Sequence, residues 1–230
     1  MLPTIDQLHA WRDRVRDPAL TVMLGVQLLL IMAAEPFAAT GLKGSSTVLE
    51  LVLVAFAFLI VLVSRGPIMT TVAALAVIST LAGSLFNIVA PSTPTRMLAH
   101  AGALGGSVVV AYVVGRAVLA PGAVNTHRVF GAIVLYLNFG MLFATGYRLI
   151  WDLIPNSLSG VPSEMSPTQA SGTIFYFSYV TLTSIGFGDI APVDPFARGL
   201  ANLEGIIGQL YPATLLARLV TLELESRPRR

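Results

Sequence analysis

Long uncharged apolar runs, not alternating ones, dominate this chain. A helix needs about 20 mostly apolar residues to cross roughly 30 Å of hydrocarbon, and six stretches approach that requirement. They cover 19–39, with Glu35 near one end; 47–64, with Glu50 near its start; 66–95, which has no charge and exits at Pro91 and Pro94; 98–120, with Arg116; 129–151; and 196–222. Between the last two, residues 152–167 are rich in Pro, Ser and Gly and read as an exposed turret. Residues 172–180 form a short apolar and aromatic run, too short to cross, which predicts a re-entrant helix. Ser166-Pro167-Thr168-Gln169 fits a capping box with Pro at the first helical position, while Ser171 offers a later start. The predicted fold is an all-α integral membrane protein: six transmembrane helices, with a re-entrant segment before the last.

Near the start, Ile5, Leu8, Trp11 and Val15 recur at helical spacing opposite Asp6, Arg12, Asp13 and Arg16. This predicts an amphipathic helix on the inner membrane face; the alternative is a solvated tail. Asp13 and Asp17 do not suit the n-region of a cleaved signal peptide.

Composition agrees with the pattern. Of 230 residues, 55% are hydrophobic and only 11% charged, against roughly 25% charged in an average soluble domain. With a mean hydropathy of +0.77, a soluble enzyme with a polar skin and a disordered chain are both excluded. A net charge of +2 provides no basic field for nucleic acid. Without cysteine there are no disulfides, thiolate metal sites or thiol catalysis, and His9, His100 and His127 form no ligand pair on one helix. No Ser–His or His-rich set marks an intramembrane hydrolase, so no enzymatic activity is expected. With both termini inside, ten basic residues (Arg12, Arg14, Arg16, Arg65, Arg116, Arg128, Arg218, Arg227, Arg229 and Arg230) face the cytoplasm and four (Lys43, Arg96, Arg148 and Arg198) face outward. That bias fits the positive-inside rule and predicts a multi-pass protein of the cell (inner) membrane with cytoplasmic termini.

The chemistry concentrates in Thr181-Leu182-Thr183-Ser184-Ile185-Gly186-Phe187-Gly188-Asp189, directly after the re-entrant run. Irregular backbone at membrane depth is tolerated only where it is buried in protein or lines a water-filled path. Glycine adopts positive φ without a Cβ penalty, so Gly186 and Gly188 allow successive carbonyls to turn to one side. Four such strands around an axis would stack rings of oxygens above a ring of Ser184 hydroxyls, replacing the hydration shell of a cation.

This stretch resembles the filter of the potassium-channel pore family, whose pattern is T-x-x-T-x-G-[YF]-G-D between two spans. The resemblance implies a homotetramer in a lipid bilayer. K+ would be the permeant ion, held by the carbonyls of Ser184, Ile185, Gly186 and Phe187 and the Ser184 hydroxyl, with Thr183 and Gly188 completing the filter. It implies no organic cofactor. Asp189 is expected at the outer mouth, partnered by Tyr176 where the family often has Trp. Phe187 lacks the hydroxyl of the commoner Tyr; Ser184 keeps the hydroxyl of the usual Thr without its methyl. Val180 stands where some bacterial members carry a buried carboxylate, so proton-linked filter behaviour through that residue is not expected.

Glu204-Gly205-Ile206-Ile207-Gly208-Gln209-Leu210-Tyr211-Pro212 also resembles the inner helix of bacterial single-pore channels. Gly208 stands about where the family places its flexible glycine, and Pro212 removes a helical hydrogen bond; together they predict a hinge, the alternative being that Gly208 permits close packing. Glu204, a carboxylate within a span, is expected to support the filter through Thr181 or Thr183, or to be a satisfied structural contact. Leu215, Leu219 and Leu222 fit an inner constriction. Arg116 alone cannot make a voltage sensor, which needs repeated arginines, and no regulatory domain is expected after the last span. The expected organisation is a cytoplasmic segment (1–18), a four-helix region without a voltage sensor (19–126) and a pore domain (127–230). The leading reading is a potassium-selective channel. A weakly selective monovalent cation channel or potassium uptake subunit is the alternative, and a non-conducting membrane scaffold a distant third.

Overall fold

A computed structural model describes residues 5–39, 67–90, 92–119 and 126–226. These residues form six helices: α1 (Ile5–Ala39), α2 (Pro67–Val89), α3 (Thr93–Leu119), α4 (Thr126–Leu153), α5 (Pro167–Leu182) and α6 (Pro195–Ser226). The expected span at 47–64, with Glu50, lies outside the described residues. Among the described residues, three stretches are long and apolar enough to cross a membrane: Thr21–Ala39, Thr93–Arg116 and Val129–Leu153. A shorter apolar stretch, Thr71–Asn87, lies within α2. α1 runs without a break from Ile5 through the expected boundary at residue 18.

The packing has a centre and a periphery. α4 touches α1, α3, α5 and α6, whereas α2 packs chiefly against α3. Small residues allow the α2–α3 approach: a Cβ on Gly83 would collide with the Ala99 backbone, and one on Gly102 with Ser79 and Thr80. The opposite face of α2, including Val72, Leu75, Ile78, Leu85 and Phe86, is exposed. Apolar side chains facing outward are what a helix in hydrocarbon presents. Met23 of α1, Val110, Val114 and Val118 of α3 and Ala132, Val134 and Leu135 of α4 make one buried cluster. Asn138 donates from Nδ2 to the Ser107 carbonyl at 2.9 Å, satisfying a buried amide across α3 and α4.

At the far end of α4 an ionic cluster ties it to α3. Asp152 carries a fully buried carboxylate, 3.0 Å from His100 Nδ1, 3.2 Å from Arg148 Nη2 and 3.6 Å from Arg96 Nε. The Arg148 guanidinium lies 4.5 Å from the centre of the Trp151 ring. Arg96 and Arg148, expected on one membrane side, thus meet on one carboxylate. Arg116 instead lies beside Tyr112, donating to its hydroxyl at 3.2 Å.

The turret is largely exposed, as its composition suggests, but it is not detached from the core. Although rich in Pro, Ser and Gly, it turns back: Leu158–Ser159 (β1) pairs antiparallel with Ala191–Pro192 (β2) just beyond the filter motif. Leu158 and Val161 are buried with Tyr147, Ile174, Phe177 and Ile190. Two apolar side chains in a polar stretch anchor it, while most of its other residues, Pro162–Glu164 among them, are exposed.

Candidate pore site

α5 contains the short apolar run and starts at the earlier of its two predicted caps. Ser166 has extended backbone (φ −60°, ψ 148°) and Pro167 follows at the first helical position. The Gln169 N–H donates to Ser166 Oγ at 3.3 Å, and the Ser166 N–H donates to Gln169 Oε1 at 3.3 Å. This reciprocal pair satisfies two donors at the helix start. Ser171 lies inside the helix, its hydroxyl donating to the Pro167 carbonyl at 2.9 Å.

The last carbonyls of α5, which lack helical partners, organise the backbone that follows. Tyr179 O accepts from the Thr183 N–H (3.0 Å) and from the Thr183 hydroxyl (2.6 Å). Thr181 O accepts from the Ser184 N–H at 3.0 Å; Val180 O accepts from the N–H groups of Ile185 (3.0 Å) and Gly186 (3.4 Å). Leu182 O accepts from the Tyr136 hydroxyl of α4 at 3.2 Å. Beyond this cap the chain alternates: φ is +58° at Ser184, +59° at Gly186 and +82° at Gly188, whereas Ile185 and Phe187 between them do not have positive φ. Residues 183–189 are exposed, including the large apolar side chains of Ile185 (56%) and Phe187 (68%).

Tyr176 and Asp189 are brought together. The Tyr176 hydroxyl is hydrogen-bonded to the Asp189 carboxylate, with Glu35 near by. Glu35, from α1, also accepts from the Thr173 hydroxyl at 3.3 Å, so α1 reaches the outer face of α5.

Glu204 is completely buried, but its partners are not the expected threonines. Thr183 caps the helix end instead. Ser178 Oγ lies 2.5 Å from Glu204 Oε1, and the Tyr147 hydroxyl donates to Oε2 at 2.8 Å. Ser178 also donates to the Gly140 carbonyl at 2.8 Å. The carboxyl group therefore joins α4, α5 and α6 behind the motif. Tyr147 escaped the sequence reading because nothing in an apolar span marks one tyrosine as the partner of a glutamate 57 positions away.

α6 continues as one helix through Pro212. Gly208 packs directly on the end of α5, where a Cβ would collide with the Leu182 carbonyl oxygen. Gly208 is therefore closely packed in this conformation. Tyr211 leans the other way, stacking with Tyr136 (5.9 Å between centres) and donating to the Ala132 carbonyl at 2.9 Å. Leu215 packs into the α3–α4 cluster, while Leu216 is 64% exposed. Gln209, a residue the sequence did not single out, donates from Nε2 to Ser184 Oγ at 2.6 Å.

Comparison with known proteins bears on the same part of the chain. Residues 127–224 match the ion channel family. A stretch of 76 residues is 38% identical to the inward rectifier potassium channel Kirbac3.1 of Paramagnetospirillum magnetotacticum, covering 33% of this chain and 23% of that one. A stretch of 90 residues is 30% identical to protein LctB of Geobacillus stearothermophilus, covering 37% of this chain and 62% of that one. The chain thus spans less than a quarter of the length of the first of these relatives and less than two thirds of the second. No solved structure gives a significant match. These likenesses place an ion channel match from the start of α4 to the last turn of α6. They point to a channel rather than an enzyme, and with the apolar helices they support a multi-pass membrane protein.

Proposed function

We propose that four copies of this chain form a potassium-selective pore. The carbonyls of Ser184, Ile185, Gly186 and Phe187 and the Ser184 hydroxyl bind dehydrated K+, with Thr183 and Gly188 bounding the filter. The observation that carries this reading is the alternation of positive φ at residues 184, 186 and 188 beyond the capped end of α5. Alternating handedness turns successive carbonyls to one side, which an ordinary turn has no reason to do. The exposure of Ile185 and Phe187 supports burial against further copies around an axis. Asp189 and Tyr176 brace the outer mouth and Glu204 the inner-helix side. Gly208 and Pro212 lie one turn apart, and Pro212 lacks the N–H that would serve the Gly208 carbonyl, so this turn is the bend point of α6.

In this reading α5 is re-entrant, the six spans of the sequence lie in the cell membrane with both termini cytoplasmic, and residues 127–230 form the pore domain. The test is potassium against sodium flux through purified protein in liposomes, with the oligomer's mass measured alongside. Barium-blocked potassium flux with much slower sodium flux supports the proposal. Equal fluxes replace it with a weakly selective cation channel, and a stable non-tetrameric particle without flux refutes it.

A further inference from the structure

Gln209 has no part in the helix packing: it is exposed, on the same stripe of α6 as Leu203, Ile206, Leu210, Ala213, Leu216 and Ala217. A stripe at this spacing faces either the pore axis or another copy. Gln209 settles which for its own level, because its carboxamide is hydrogen-bonded to Ser184 Oγ, the innermost hydroxyl of the filter.

We infer that Gln209 is a positioning residue for the innermost ion site, and that four carboxamides ring the ion path directly below it. This rests on the pore reading above. Serine is unbranched at Cβ and lacks the methyl that stiffens χ1 in threonine, so nothing within Ser184 fixes its hydroxyl. Ser184 is exposed, so packing against neighbouring side chains does not restrict it either. The Gln209 N–H occupies one lone pair of Oγ and holds the oxygen in place; the second lone pair and the Ser184 carbonyl stay available to a cation. The inner helix thereby supplies a constraint the filter residue lacks, and any movement of α6 at Gly208 alters the site.

Barium is the probe, because a divalent ion close to potassium in size binds oxygen rings more tightly. Its inhibition of potassium flux, and its binding to the solubilised tetramer by calorimetry, are measured for wild type, Gln209→Leu, Gln209→Asn and Gln209→Glu. Loss of the hydrogen bond in Gln209→Leu weakens barium roughly tenfold. Gln209→Asn, one methylene short, weakens it similarly. Gln209→Glu keeps a hydrogen-bonding partner for Ser184 and adds a carboxylate ring, so it tightens barium at least as much. Opposite shifts are not expected of a residue that only packs. Unchanged barium affinity in all three, with potassium flux intact, overturns the inference and leaves the pore reading standing. A wild-type tetramer that neither conducts potassium nor binds barium overturns both.

Discussion

Replacing Glu204 tests what holds the pore helix to its surroundings. The carboxyl group has two oxygens and two hydroxyl neighbours, Tyr147 and Ser178. Ser178 has a single hydroxyl hydrogen but two acceptors within reach, Glu204 and the Gly140 carbonyl. All three contacts are hydrogen bonds when the group at position 204 supplies a hydrogen of its own, which a protonated carboxyl or a glutamine amide does. Glu204→Gln should therefore keep the network and cost less than about 1 kcal/mol per chain. Glu204→Leu fills the space but strands the Tyr147 hydroxyl, which is fully buried; an unsatisfied group of that kind costs about 1–3 kcal/mol. Glu204→Ala adds a cavity worth about 1 kcal/mol more, bringing its cost to about 2–4 kcal/mol. At about 2–4 °C per kcal/mol for a chain of this size, the alanine variant should lose about 4–16 °C in apparent Tm. Thermal unfolding of the three purified variants in detergent gives the ranking. The reasoning is refuted if Gln destabilises as much as Ala, which would mean that the network depends on a carboxylate charge, or if Ala is silent.

Four further outcomes follow from the geometry. Gly186→Ala places a Cβ at φ +59°, a strain of about 1–2 kcal/mol in each copy, and should abolish potassium flux in liposomes while leaving the oligomer's mass unchanged. Asp152→Asn removes the carboxylate shared by Arg96, His100 and Arg148; breaking a buried ionic cluster costs about 3–5 kcal/mol, which thermal unfolding should read as a large loss. Gly208→Ala forces α6 off the Leu182 carbonyl, an overpacking cost of about 1–3 kcal/mol that should lower both apparent Tm and potassium flux. Ser166→Ala breaks the capping box and should cost about 1 kcal/mol, seen as faster hydrogen exchange in the first turn of α5 and not elsewhere.

What could be read from the residues was whatever is encoded locally. The capping box, the short run between Pro167 and Leu182 and the spacing of Gly186 and Gly188 each depend on neighbours a few positions apart, and the structure places all three as the sequence suggests. Ser184 is a partial exception: a serine gives no sign that it will take the positive φ that continues the glycine alternation. A hydroxyl of α5 was the right kind of partner for Glu204, but Ser178 takes the place given to Thr181 or Thr183 and Tyr147 joins it from α4, because helix crossing decides the contact. Arg148 and Asp152 stand one turn apart and could have been paired by eye; that Arg96 and His100 join them follows only from how α3 lies on α4. The turret's exposure was legible in its composition, but not its anchoring, since that composition outweighed Leu158 and Val161, two residues that bind it to the core.

That turret also sets where the protein can be altered from outside. β1 is joined to the strand that leaves the filter, and a side chain at Gly160 would strike the Asp189 carbonyl. The filter strand is consequently clamped at both ends, by the α5 cap within and by a two-residue ribbon without. An epitope or fluorophore attached at Ser163 or Glu164 hangs from the slack part of the loop. The same label six residues earlier would pull on the exit of the ion path, turning a reporter into a lever.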